Sequence, residues 1–328
     1  MRIELLSLCE SFIKNRDAVK SIYRMESAYL HPVCATIFMN KGIEADTERL
    51  ALCGRLLKEN VGAFSPFRGI SRPVTVSILS VGEPEEKIRK ALSAYTSLKK
   101  HFASGAFLPL AAMLISDKTS ENEFDSISES TRKIYDLMRS EHPFLTCGED
   151  SVFAALIALS GQRPVDAITE TERCYRLLKE RFFSSNAVQS LSHVLALCEG
   201  RAEDKCRKTI ELFDALKANG MRYGTEYELS TLGVLAMLPA DQNAIISDLA
   251  EVDGFLASQK GYGFWGLGKR QRLMHAGMIV TAAHLPSSDL SESTMALSAQ
   301  QAAIAAAQQA AICAAIAAQT AANAATSG

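Results

Sequence analysis

The sequence predicts an all-α protein built from repeated helical hairpins. Three observations predict it: the chain matches itself at a fixed shift, each copy carries apolar stripes at helical spacing, and the one strand-like segment has a helical copy. At one constant shift without gaps, Leu57 meets Leu137, Phe64 meets Phe144, Ser71 meets Ser151, and Leu79-Ser80 meets Leu159-Ser160. The register continues through Pro84 and Pro164, Ile88 and Ile168, Tyr95 and Tyr175, Leu98-Lys99 and Leu178-Lys179, Phe102 and Phe182, and Ser104 and Ser184. These twelve identities in the 48 positions from Leu57 to Ser104 compare with about three expected from average residue usage. A more diverged third copy follows at a slightly shorter shift, where Arg132-Lys133 recurs as Arg207-Lys208, Gly148 as Gly224, Leu156 as Leu232 and Leu159 as Leu235.

The opening pair of helices, about Ile3 to Tyr23 and Met25 to Met39, reads as a half-unit. Three four-helix units follow. The first helix of each presents one apolar face, as in Leu50, Cys53 and Leu57, in Ile134, Leu137 and Met138, and in Cys206, Ile210 and Phe213. The second helix is short and apolar, around Pro73 to Ser80, Ser151 to Ser160 and Leu229 to Leu238. Val74-Thr75-Val76-Ser77-Ile78 alternates like a strand. Its copy, Phe153-Ala154-Ala155-Leu156-Ile157-Ala158, is good helix sequence, and Pro73 suits a first helical turn where no donor is needed. The third helix carries Ile88, Leu92, Tyr95 and Phe102 in one copy and Ile245, Leu249, Val252 and Leu256 in another. The fourth runs from about Ala106 to Ile115, Ala187 to Leu197, and Gln271 to Ala283.

Seven hairpins, each taking up about half of that repeat, thus account for most of Met1 to Leu285, predicted to be a single domain. One hairpin cannot bury its own stripe, so hairpins stack, either as an open α-solenoid or as a closed α/α toroid. Pattern alone leaves both open. Residues 286–292 read as a linker, and 293–328 as a different material: it carries no charge, and 17 of its 36 positions are alanine. Such a segment suits a small-residue helix lying in a groove, or a tail disordered until bound. Its glutamines and scarce Leu and Ile argue against a membrane span.

Composition narrows function mainly by exclusion. With 35 Lys and Arg against 37 Asp and Glu, net charge is −2, so no chain-wide attraction to nucleic acid or anionic membrane is expected, and any basic site is local. Eight scattered cysteines without a CxxC pair suit a reducing compartment, and the charged N-terminal residues leave no signal-peptide core; a cytoplasmic protein is expected. The six histidines show no metal spacing, so neither a metal nor a cofactor is predicted.

Two groups of residues are candidates for chemistry. Gly261-Tyr262-Gly263-Phe264-Trp265-Gly266 matches GxGxxG, but helical sequence precedes it where a dinucleotide site needs a strand. As a loop running into Lys269, Arg270 and Arg272 at a helix start, it could instead hold a small anion, with Trp265 as an apolar platform. The second group lies in the loops between first and second helices, which the repeat places on one edge: Arg68, Glu149, Asp150 and Glu226. These could converge on a ligand, or the acids could simply cap helix N-termini.

Phe144-Leu145-Thr146-Cys147-Gly148-Glu149-Asp150 with the apolar helix after it, together with Phe64-Ser65-Pro66-Phe67-Arg68-Gly69 and the Ala/Gln tail, resembles a family of bacterial cytosolic proteins known only as a domain of unknown function. The resemblance implies a bacterial, cytosolic origin and no assigned activity. Two functional readings follow. The first is a non-catalytic repeat protein that binds a protein partner; the alternative is an enzyme or binder of a small anionic ligand with its site in a toroid's central cavity. Only Lys99-Lys100 and the Lys269 to Arg272 group are basic, too little for nucleic acid.

Overall fold

The computed structural model describes residues 1–263 and 266–284, and in the C-terminal segment residues 305, 308, 309, 311–313, 315 and 316. The described residues are helical throughout, apart from loops and one isolated bridge between Tyr262 and Leu267. Among them, seven helices form one class: α1 (Ile3–Ile22), α3 (Thr47–Asn60), α5 (Pro84–Lys99), α7 (Phe124–Glu141), α9 (Pro164–Lys179), α11 (Ala202–Ala218) and α13 (Gln242–Ala257). Each is amphipathic. In α7 the buried positions are Phe124, Ser128, Thr131, Ile134 and Met138, a single stripe at helical spacing, while the rest carries charge.

The other class is α2 (Leu30–Met39), α4 (Arg72–Leu79), α6 (Leu108–Lys118), α8 (Asp150–Leu159), α10 (Ser185–Leu197), α12 (Leu229–Ala236) and α14 (Lys269–His284). Every residue of α2 and of α8 is buried, as are Leu273 to Thr281 of α14. A helix that is apolar all round has to be covered all round. The amphipathic class covers one side: each odd-numbered helix pairs with the even-numbered helix after it, and odd helices also pack on odd ones. Even helices pack on even neighbours, α2 on α4, α4 on α6 and so on to α12 on α14. The first and seventh hairpins also meet, α14 against α2 and α13 against α1.

Close approach within the inner class depends on small residues. A Cβ at Gly233 of α12 would lie 2.4 Å from Leu191 Cδ1 of α10, so hydrogen is what that crossing admits. The remaining side of several inner helices is covered by the C-terminal segment, whose described residues are helical. Ala311, Ile312, Ala315 and Ile316 are buried in one core cluster with Leu110 to Ile115 of α6 and Val152 to Leu159 of α8.

Helix boundaries depart from the sequence expectation in two places. The second helix starts at Leu30 rather than Met25, because Tyr23 to Tyr29 forms a turn whose backbone His31 caps by contact of Nε2 with the Tyr23 carbonyl at 2.9 Å. The stripe through α5 ends at Leu98, and Phe102 lies past the helix, packed edge-on against Tyr135 at 5.4 Å. The strand-like Val74 to Ile78 is helical, with Pro73 in the first turn.

Candidate functional site

Two polar groups interrupt the apolar interior, one at each end of the inner helices, and both touch the C-terminal segment. The first gathers at the starts of α8, α10 and α12. The Cys147 N–H donates to Asp150 Oδ2 at 2.7 Å, so the acid closes the turn that begins α8. Asp150 is nonetheless 2% exposed, and burial pushes its carboxyl up to about 7, opposed by the Cys147 N–H and reinforced by Glu149. His193 of α10 faces it, with Nδ1 3.5 Å from Asp150 Oδ1 and the ring 5.4 Å from that of Phe153. Burial, and the charge of His142 beyond it, push this imidazole down to about 3, so it is neutral. Its Nδ1 has no hydrogen-bond partner among the described residues.

Glu149 is also raised by burial. It borders a void of about 20 Å³ with Phe153, Asn186, Ser190, Tyr227, Ser230 and Cys313, room for roughly one water. Glu228, just before α12, is buried; Gln271 Nε2 donates to one oxygen at 3.4 Å, and the other has no partner among the described residues. The repeated glycine at 224 has a physical reason here, since a Cβ at that position would lie 2.2 Å from Glu228 Oε2.

The second group lies at the opposite ends of α2, α4 and α6. A cleft of about 130 Å³ has walls of Ile37, Ile78, Val81, Met113, Leu114 and Ile312. Lys41, Lys87, Lys118 and a single acid, Asp117, line the same cleft with Asn40, Gln308 and Gln309. Lys118 Nζ lies 2.8 Å from Asp117, and Lys87 Nζ donates to the Ile78 carbonyl at 3.3 Å, the end of α4. Burial lowers Lys41 and Lys87 below the ordinary lysine value, with Asp117 pulling the other way. Against its own burial penalty, Asp117 is held below the usual carboxylate range by Lys118, Lys87 and Lys41. Asn40 Oδ1 and Gln309 Oε1, both buried acceptors, lack hydrogen-bond partners among the described residues.

Of the residues singled out by sequence, Glu149 and Asp150 come together in the first group, and Glu226 is exposed on the loop beside Tyr227. Arg68 ends a short 3-10 turn, Pro66–Arg68, half-buried. Lys269 and Arg270 are exposed in the first turn of α14, and Lys269 Nζ reaches the Gly220 carbonyl at 3.4 Å. Arg272 is held by Asp253 through two hydrogen bonds of 2.7 and 2.9 Å. Trp265 lies outside the described residues. Sequence reasoning passed over the Lys41, Lys87, Lys118 and Asp117 group, which draws on three separate helices and their ends. The available signal was charge at the ends of otherwise uncharged buried helices. His193 lies on α10 and His275 on α14. Both are buried and both are pushed down to about 3, His275 with Tyr262 Oη at 2.9 Å from its Nδ1.

No group of three His, Cys, Asp or Glu side chains among the described residues is arranged to hold a metal ion, and none of the described helices is long and apolar enough to cross a membrane. Residues 15–310 match the model of a protein family of unknown function, DUF4003. The chain belongs to that family. No curated protein and no solved structure matches it.

Proposed function

We propose that the seven hairpins close into an α/α toroid, and that the protein binds a small anionic molecule with an apolar body in the cleft at the ends of α2, α4 and α6. Closure is supported by the packing of α14 on α2 and α13 on α1. It is supported too by the ion pairs that join the chain's ends, Arg2 with Asp248 at 2.6 Å, His284 with Asp248 at 2.7 Å, and the Met1 amine with Glu251 at 3.1 Å. An apolar cavity with a few convergent polar groups of shifted pKa is where a ligand is first sought.

The observation that carries the reading is the imbalance at the cleft: three lysines converge on one carboxylate beside six apolar side chains. Burying like charges is unfavourable, and an anion placed among them relieves it. The reading is a binder because what the cleft gathers is positive charge and apolar surface around one space. It takes preference over a protein scaffold because the polar side chains gather around a cleft.

The test is isothermal titration with hexanoate, with hexanol as the uncharged control. Saturable binding of hexanoate alone is expected, weakened about tenfold or more in Lys41→Met/Lys87→Met, as for loss of a charge-assisted contact. Equal binding of hexanol, or no saturable binding, contradicts the proposal.

A further inference from the structure

We infer that the edge carrying the odd-to-even loops is a docking surface for an anionic membrane. The loops after α1, α3, α5, α7, α9 and α11 each join an odd helix to the even helix packed on it, odd helices pack on odd ones in chain order, and contacts run from each loop to the next loop or to a helix beside it. Glu26 pairs with Arg72 at 2.5 Å, Ser71 Oγ donates to the Ala106 carbonyl at 3.3 Å, and Phe107 approaches Gly148. Gln189 Nε2, in the second turn of α10, donates to Thr146 Oγ1 at 3.3 Å, and Phe182 of the loop after α9 stacks edge-on with Phe213 of α11 at 5.2 Å. The series returns to α1 through Arg16, whose guanidinium lies 5.6 Å from the Tyr262 ring centre. These loops therefore share one edge.

That edge carries the most exposed large apolar side chains among the described residues: Met25 at 99%, Phe64 at 102%, Phe144 at 99% and Phe183 at 97%, with Tyr227 at 43%. Exposure near 100% means that each of these side chains is almost wholly uncovered, with Lys179 Nζ 5.4 Å from the Phe183 ring centre as a contact of one of them. They form no contiguous patch. A protein partner presents a packed interface core, which such separated tips do not match. A lipid interface is fluid and closes around each tip independently, and aromatic rings are at home at that depth.

Charge points to the same partner. The six loops and the one after α13 carry Arg24, Arg68, Lys100, Arg181, Arg222 and Lys260. Their exposed acids are Glu180 and Glu226; Glu26 is tied to Arg72, Glu149 is half-buried on the inner void, and Glu228 is buried. Lys100 and Arg181 pair with Asp125 and Asp214, whereas Arg24, Arg68, Arg222 and Lys260 have no acidic partner among the described residues. The loops of the opposite edge carry Glu44, Asp46, Glu83, Glu121, Glu123, Glu199 and Asp241 against Lys41, Arg163 and Arg201, a net acidic balance. A chain of net charge −2 thus concentrates free cations and bare aromatic tips on one side, the pattern of a peripheral protein that adsorbs to negative lipid.

The test is flotation of the full chain with phosphatidylglycerol/phosphatidylcholine vesicles and with phosphatidylcholine vesicles alone. Binding to the first, falling as salt rises, is expected. Phe64→Ser/Phe144→Ser/Phe183→Ser should bind about tenfold or more weakly, and Arg24→Gln/Arg222→Gln/Lys260→Gln on the order of a hundredfold more weakly. Both variants should keep the wild-type thermal midpoint, because the rings touch no core and these cations hold no acid. No binding to phosphatidylglycerol vesicles, or variants that bind as wild type, would overturn the inference. So would a purified protein partner whose binding, unlike vesicle binding, is lost in the phenylalanine variant.

Discussion

Asp150→Asn should stabilise the protein at pH 8 and leave it unchanged at pH 4. The wild-type carboxyl is 2% exposed and its pKa is raised from 3.8 to about 7. A raised carboxyl contributes stability that is fully present below pH 3.8 and is lost as pH rises to about 7, because the folded state must then ionise a buried group that the unfolded state ionises in water. Raising the carboxyl from 3.8 to about 7, at ~1.4 kcal/mol per tenfold change in proton affinity, makes the loss on the order of 4 kcal/mol. Asparagine removes that loss without removing the turn. Its oxygen can still accept the Cys147 N–H, and its NH2 can be turned toward His193 Nδ1, which lacks a donor among the described residues. His193, pushed down to about 3, acts in the opposite sense: its neutral buried form supports the fold above pH 6.5 and is lost as pH falls toward 3. A new contact of the Asp150→Asn amide with Nδ1 would favour the neutral imidazole further, so the His193 contribution enters the difference mainly below pH 6.5, and the rise between pH 6.5 and 8 isolates the carboxyl. Urea unfolding from pH 4 to 8.5 gives the difference directly. A gap between variant and wild type that does not grow from pH 4 to 7, or a variant less stable at pH 8, would refute the reasoning.

Two further outcomes follow from burial. Of the eight free cysteines only Cys147 is exposed, and burial, with Glu149 and Asp150, pushes its thiol up to about 11, so Ellman's reagent should titrate one thiol in the native protein, faster with rising pH, and eight after unfolding. Ile312→Ala should cost about 2–5 kcal/mol in urea unfolding, as for a fully buried residue, whereas a tail that does not pack against α6 and α8 would give less than about 0.5 kcal/mol.

The helices were legible because the repeat pooled weak local signals. Val74 to Ile78 alone reads as a strand, and only its copy at Phe153 to Ala158 corrects it. The two classes of helix were legible in part, from stripes such as Ile134 and Met138 against the unbroken apolar run Val152 to Leu159. Of the site, Glu149 and Asp150 stood out because the repeat aligns their loop with Glu226 and Glu228. The basic cleft did not stand out. Lys41, Lys87 and Lys118 have no shared spacing, and only the packing of α2, α4, α5 and α6 brings them together. Arg272 looked available in sequence, but its partner Asp253 lies one helix earlier, across a loop.

Ring closure is tested most directly by one distance. In a Cys147→Ser background, spin labels at Ser7→Cys on α1 and Ser247→Cys on α13, both exposed positions, report whether the first and last hairpins meet. Touching helices lie about 10 Å apart, so a closed ring predicts a narrow label distance below about 30 Å. An open stack places the first and seventh hairpins six steps of about 10 Å apart, and a distance near ~60 Å would contradict closure.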